Sequence, residues 1–573
     1  MGEISGGRLV AKALKAEGVK YVFSLPGGHI APIYEGLIEE GIEIISMRHE
    51  QAAGNAADGW GRITRTPGVC LVTAGPGIVN LVPALAQAYY ANSPVIGITG
   101  RSAFAFSDKH AFQEVDSVAL ARPVTKWAKT CSIVYRIPEY VQDAFRAATS
   151  GKMGPVLLDF PLDTVCLSCD ESKISMLPPE KYRPLGKIYG DPILVKKAAE
   201  MLLNAEKPLI LAGSGVYWAN ASKELVELAE FLQIPVTYYE LGMGCIPDEH
   251  PLCIGNAVVS LRFAKPDVML AVGVCFDELL GFGVDETMYP KDLKVIHIDL
   301  EPNIVGKNRP VDLGIVGDPK AVLSQLLEAA KQIIEKEGIK EREWAKKLAE
   351  TKKTFFTGFE KAGDSAAKPI RPERLMKDIR EFVTPDTIVI LDGGDTSVWA
   401  YTYLKAQFPG QIIGSQGPLG HLGAGVPIGI AAKLAKPEKK VFVITGDGSF
   451  LFNGVEIDTA VRYNIPFVTI IANDSHWGMV YHGNVIAWKS KEKSSVGTKL
   501  NEEVRYDKFA ESLGGYGETV TDPEEIKPAI RRALKENVPA VIDVRIDPEA
   551  ITILDQYFAS TAMPQFWKKY WTF

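Results

Sequence analysis

Two aspartates at successive strand ends in the last third of the chain have the spacing of a cation site. Residues 441–480, VFVITGDGSFLFNGVEIDTAVRYNIPFVTIIANDSHWGMV, place Asp447 between two glycines and then Asn473-Asp474-Ser475-His476 after the next apolar run. Glycines let backbone N–H groups approach an oxyanion closely, and two oxygen-bearing side chains from adjacent strand ends can hold a hard cation against it. Mg²⁺ suits such a place because it needs few protein ligands and takes the rest from phosphate and water. Taken alone, a Gly-Asp-Gly turn is equally an ordinary strand end with a solvated carboxylate. A second stretch, LPGGHI at residues 25–30, puts His29 directly after Gly27-Gly28 where a strand hands over to a helix. That imidazole can move protons near neutral pH, or it can bond to nearby backbone at the helix start.

The elements that must position these residues follow a regular pattern. Ten Val-, Ile- and Leu-rich runs end in Gly or small polar residues and are followed by helical spacing: VCLVTAGPG, PVIGITG, PVLLDFP, PLILAGSG, VMLAVGV, VIHIDL, IVILDGG, VFVITGDGS, FVTIIAND and AVIDVRID. Continuous apolar runs alternating with helices predict buried parallel strands, so the class is α/β, doubly wound. Polar or charge-rich stretches at 166–190 and 336–370 divide the chain into blocks at 1–165, 190–335 and 370–573. In open α/β sheets ligands bind beyond the carboxyl ends of strands, which is where Asp447, Asp474 and His29 fall.

The chain has 573 residues, a formal charge of -7 and 23% charged residues without a long block of one sign. Nucleic acid and anionic membranes are therefore disfavoured as partners. The N-terminus, MGEISGGRLVAKALKAEGVKYVF, lacks the apolar core of a signal peptide, and no run is long enough to span a bilayer, so a soluble, cytoplasmic protein is expected. Seven scattered cysteines read as reduced thiols, and the lone Cys166/Cys169 pair is a poor metal motif.

With an Asn-Asp at the next strand end, the Gly-Asp-Gly segment resembles the signature of thiamin-diphosphate enzymes. That resemblance implies that Asp447, Asp474 and the backbone carbonyl of His476 ligate Mg²⁺, and that Gly448, Ser449 and Asn473 belong to the diphosphate side. It departs from the pattern at Asp474, where the family has Asn; a carboxylate keeps the oxygen ligand but adds negative charge. The segment DGGDTSVW makes Thr396 a diphosphate donor, and GPLGHLGAGVP offers Leu422 as the apolar wedge between the cofactor's rings or as plain core. The resemblance also implies Met479 as a cofactor contact. In the first block, MRHEQAAGNAADGWG is similar to the family's segment carrying the catalytic glutamate, here Glu50, which drives the aminopyrimidine to its imino form. TAGPGIVN brings Thr73 and Asn80 to the pyrimidine side, and AFQEVD brings Gln113 toward the reacting carbon. The family places the glutamate and the diphosphate site on different subunits, implying a homodimer or homotetramer with active sites at the subunit interface. The three blocks become pyrimidine-binding, central Rossmann-like and diphosphate-binding domains.

The resemblance is to the branch holding acetolactate synthases, 2-hydroxyacyl-CoA lyases, oxalyl-CoA decarboxylases and benzaldehyde lyase. Asp277-Glu278-Leu279 and Met479-Val480-Tyr481-His482-Gly483 depart from acetolactate-synthase patterns and count against FAD and against acetolactate synthesis. GGHI matches benzaldehyde lyase, so the expected activity is a lyase or carboligase acting on aldehydes, acyloins or 2-oxo acids, with His29 and Gln113 catalytic. The alternatives are pyruvate condensation, a CoA-ester lyase or decarboxylase with the tail FASTAMPQFWKKYWTF as a lid, and a non-catalytic cofactor-binding relative. LAGSGVYWANA in the middle block reads equally as a nucleotide turn or a helix-packing turn.

Overall fold

A computed structural model describes residues 2–184, 186–334, 342–415 and 417–561. Most of the C-terminal tail considered as a lid, residues 562–573, lies outside the described residues. Three six-stranded parallel sheets with flanking helices make up the fold, as the apolar runs predict. All ten of those runs are strands, and their interior positions are buried on both faces, as in Gly68–Val72 and Val268–Val272.

Numbering strands within each sheet in chain order, the first and third sheets share the order 2-1-3-4-6-5, whereas the central sheet has 3-2-1-4-5-6. In the first sheet, strand order reverses between Tyr21–Ser24 and Gly68–Val72; in the third, between Thr387–Leu391 and Lys440–Gly446. Such a reversal opens a crevice at the strands' carboxyl ends, because the two following helices leave on opposite faces. LPGGHI and TAGPG leave one crevice, and DGGDTS and GDGS leave the other.

The chain separates into two compact units, residues 1–185 with 390–397 and 415–573, and residues 186–389 with 398–414. Within the first unit, the helix Glu50–Thr64 explains its own composition. A Cβ on Gly54 would stand 2.5 Å from Ala84 Cβ, and one on Gly59 would stand 2.9 Å from Ile428 Cα. Small residues let this helix lie against both Pro76–Tyr90 and Gly425–Ala435. Its buried Asp58 and Arg62 pair through two hydrogen bonds of 2.9 and 2.7 Å, so neither charge is left uncompensated. The Arg48 N–H donates to both carboxyl oxygens of Glu456, at 3.0 and 3.1 Å. In the same unit Glu3–Ser5 pairs antiparallel with Ser168–Asp170. No described helix is long and apolar enough to cross a membrane.

Candidate active site

At the third sheet's crevice, the strand Lys440–Gly446 runs straight into the helix Asp447–Asn453. Asp447 is 2% exposed, and its carboxyl is held well above the usual carboxylate range by burial and then by the neighbouring Asp474, with which it shares a hydrogen bond. Asp474 is pushed up to about 6, first by burial. Two buried carboxyls facing each other ionise together only with a cation between them.

The following turn aims Asp474 there. Asn473 donates to Asp543 Oδ1 at 2.8 Å and accepts from the N–H and hydroxyl of Ser475 at 3.0 and 3.1 Å. This holds Ser475 at φ +58. Asp474 Oδ1 accepts from the His476 N–H at 2.9 Å, and His476 Nδ1 donates to the Asp474 carbonyl at 2.8 Å. Asn473 thus shapes the turn that presents Asp474.

Around these carboxyls the backbone packs closely at glycines. A Cβ on Gly393, at φ +97, would stand 2.9 Å from Gly446 N, and one on Gly446 would stand 3.3 Å from Thr396 Oγ1. The Thr396 hydroxyl therefore faces the Gly-Asp-Gly turn. Met479 covers Gly394, and the Trp477 ring lies over Gly448, 2.8 Å from where its Cβ would be. Asp392 ties the crevice together: its carboxylate accepts from Ser449 Oγ at 2.9 Å, Gly423 N at 3.2 Å and Gly425 N at 2.9 Å. The Ser449 hydroxyl is thus spent on the frame, and half-buried Leu422 is held immediately before Gly423.

At the first sheet's crevice, Glu50 is 6% exposed and opens its helix, capped by His49 Nδ1 accepting from Gln51 N at 3.1 Å. Asn80 Nδ2 donates to Glu50 Oε2 at 3.0 Å, which fixes the carboxylate's orientation. Gly27 gives room to Thr73, whose Cβ would be 2.4 Å from a Cβ on Gly27, whereas Gly28 faces open space. The Thr73 hydroxyl is buried without a hydrogen-bond partner. His29 occupies the single turn Gly28–Ile30 and hydrogen-bonds Gln113. Burial holds its imidazole below the ordinary histidine value, partly offset by Gln113, and its Nδ1 is buried without a partner. Gln113, at φ +62, packs on Gly75, at φ +63.

These residues fit a diphosphate with a divalent cation and a polar ring: paired buried carboxyls, a glycine cradle, an oriented glutamate, and the buried, unpartnered hydroxyls of Thr73 and Ser397. The sequence reading missed Asp392, Glu456 and His421, whose Nε2 lies 3.0 Å from the Gln51 amide nitrogen. Asp392 sits in a segment already singled out, but its role needs two glycines some thirty residues away. In the second unit, Cβ atoms on Gly213 and Gly215 would stand 2.3 and 2.5 Å from Gly273, so packing between two loops accounts for the Gly-Ser-Gly turn.

Comparison with known proteins agrees with this geometry. The chain matches the N-terminal thiamine pyrophosphate binding domain over residues 4–120, the central domain of these enzymes over 195–326 and their C-terminal binding domain over 392–544. It belongs to the thiamine pyrophosphate enzyme family. It is 38% identical over 565 residues to a probable acetolactate synthase large subunit of Methanocaldococcus jannaschii, covering 95% of this chain and 92% of that protein. An acetolactate synthase large subunit of Mycobacterium tuberculosis is 36% identical over 546 residues, covering 95% and 96%. That of Haemophilus influenzae is 32% identical over 564 residues, covering 96% and 95%. These relatives favour the pyruvate-condensing alternative and lend no support to the particular likeness to benzaldehyde lyase expected from GGHI.

Proposed function

We propose that this chain is a Mg²⁺-dependent thiamin-diphosphate carboligase that joins 2-oxo acids in the manner of an acetolactate synthase, with pyruvate the simplest donor and acceptor. The observation that carries the reading is similarity along nearly the whole chain to acetolactate synthase large subunits. Asp447, Asp474 and the His476 carbonyl would hold Mg²⁺, while Thr396 and the Gly446–Gly448 backbone would meet the diphosphate. Glu50, oriented by Asn80, would bond the aminopyrimidine, with Thr73, Leu422 and Met479 lining the rings. The bound cofactor supplies a carbon nucleophile for the substrate carbonyl and an electron sink for the bond that breaks next.

His29 and Gln113 would meet the oxygen of the acceptor carbonyl. A neutral imidazole held by a carboxamide can take a proton from a substrate hydroxyl, or return it as the new C–C bond forms. Because His29 titrates below its ordinary value of about 6.5, the acid limb of the rate profile is expected below that pH. The same imidazole favours a second reading, cleavage of acyloins, which runs the proton transfer in reverse.

Supplied with pyruvate, thiamin diphosphate and Mg²⁺, the protein is expected to release CO₂ and form acetolactate; cleavage of benzoin without acetolactate formation would select the second reading. His29→Ala should lower turnover by about 10²–10⁴-fold with cofactor affinity retained. Unchanged turnover would remove His29 from the mechanism. A subunit-interface active site implies at least a dimer, which sedimentation of the cofactor-loaded protein measures.

A further inference from the structure

One buried cluster has no part in the proposed reaction. Asp395, His482 and Asp555 bring three ligand atoms within 4.8 Å of one another from three separate helices, Gly394–Tyr403, Gly478–Trp488 and Ile553–Thr561. His482 Nδ1 lies 2.7 Å from Asp395 Oδ2 and 3.7 Å from Asp555 Oδ2. Asp555 is 0% and His482 3% exposed. Oδ1 of Asp395 and Oδ1 of Asp555 are buried and accept from no N–H or hydroxyl, and the two carboxyls are hydrogen-bonding neighbours of each other. Two clustered carboxyls are costly to bury unless something positive joins them, and the His482 imidazolium paired with Asp395 supplies only one charge for the two.

We propose that Asp395, His482 and Asp555 form a second metal site, separate from the Asp447–Asp474 pair, that takes a borderline divalent cation such as Zn²⁺ and fastens the helix Ile553–Thr561 to the active-site end of the third sheet. The histidine is prepared as a ligand: its Nε2 donates to the Pro548 carbonyl at 2.7 Å, which turns Nδ1 toward the two carboxyls. Asp555 is oriented by its own turn, accepting from Thr552 N and donating its N–H to Thr552 Oγ1 at 3.2 Å. A tetrahedral ion with bonds of about 2.0–2.1 Å separates its ligand atoms by about 3.3 Å, and the observed 2.7 and 3.7 Å bracket that value. An imidazole nitrogen among carboxylates favours Zn²⁺ over Mg²⁺, whose preference is all-oxygen.

The site also answers a problem of charge. A Cβ on Gly478 would stand 2.4 Å from Asp474 Oδ2 and 3.1 Å from Asp395 Oδ2, so both carboxyls border the same residue. Asp395 therefore adds negative charge beside the Mg²⁺ carboxyls, and a diphosphate bound there would be repelled by it. A cation on Asp395 removes that repulsion without touching the diphosphate itself.

The test is a Zn²⁺ titration of the chelator-stripped full chain held in excess Mg²⁺ and thiamin diphosphate, with metal content read by mass spectrometry. One Zn²⁺ per chain is expected, with Asp555→Asn and His482→Gln each weakening it by at least about 10–100-fold while Mg²⁺ and thiamin diphosphate stay bound. Zn²⁺ held by surface thiols would survive both substitutions, so unchanged binding in the variants overturns the site. Absence of a stoichiometric Zn²⁺ in the wild type also overturns it, and leaves the cluster held by protons. That wild-type result decides alone if a variant fails to keep its far-UV spectrum.

Discussion

The crevices of the first and third sheets share one strand order and one local plan, a strand, a glycine-bearing turn and a helix, yet their chemistry differs. The first holds one oriented carboxylate, a histidine that burial holds below its ordinary value and an unpartnered hydroxyl. The third crowds carboxyls: Asp447 against Asp474, Asp392 clamping two glycines and a serine, and Asp395 beside His482. The backbone at a switch point supplies only an opening and exposed N–H groups. Whether the opening handles protons or cations depends on how many carboxyls the strand ends bury together, because paired buried carboxyls demand positive charge and a lone one does not.

Breaking each crevice separately tests that division. The largest effect is expected for Asp447→Asn, which should abolish Mg²⁺-dependent retention of thiamin diphosphate, measured by equilibrium dialysis. Glu50→Gln should leave that retention intact and lower turnover by about 10²–10⁴-fold, with exchange of the cofactor's C2 proton slowed. Loss of retention in both variants would show that the two crevices do not divide the work.

A smaller change is expected from Asp392→Asn, which turns an amide N–H₂ toward groups that already donate. It should cost about 1–3 kcal/mol of stability in denaturant unfolding and loosen the loop at Gly423. The smallest effect is a slope. Burial raises Glu456 to about 7, so the folded state holds a proton that the unfolded state has released, and stability falls as pH rises from about 4.5 through 7. Glu456→Gln should flatten that fall in a pH series of melting curves.

Legibility in the sequence followed burial. The ten apolar runs are interior strands of the three six-stranded sheets, whereas the six edge strands of those sheets escaped, Glu43–Ser46 and Trp127–Thr130, Cys253–Asn256 and Leu313–Val316, Ile412–Gly414 and Tyr516–Val520, as did the three-residue interior strand Val236–Tyr238. An edge strand pairs on one side only and needs no continuous apolar run, so its pattern merges with turns. At the site, residues within a motif could be found, as with Asp447, Asp474 and Glu50. His482 drew notice only as a departure from a pattern, because its partners come from positions 395, 548 and 555.

By itself the sequence determined the class of fold and the two glycine-rich strand ends, because strand burial and close backbone approach leave local traces in residue type, and the cofactor came from resemblance to a family's motifs. Tertiary structure alone decided that both strand ends lie at switch points, that Asn473 and Ser449 serve the frame, and that Asp395, His482 and Asp555 converge. Strand order and long-range hydrogen bonds arise from chain crossings between distant residues, and such crossings leave no local periodicity to read.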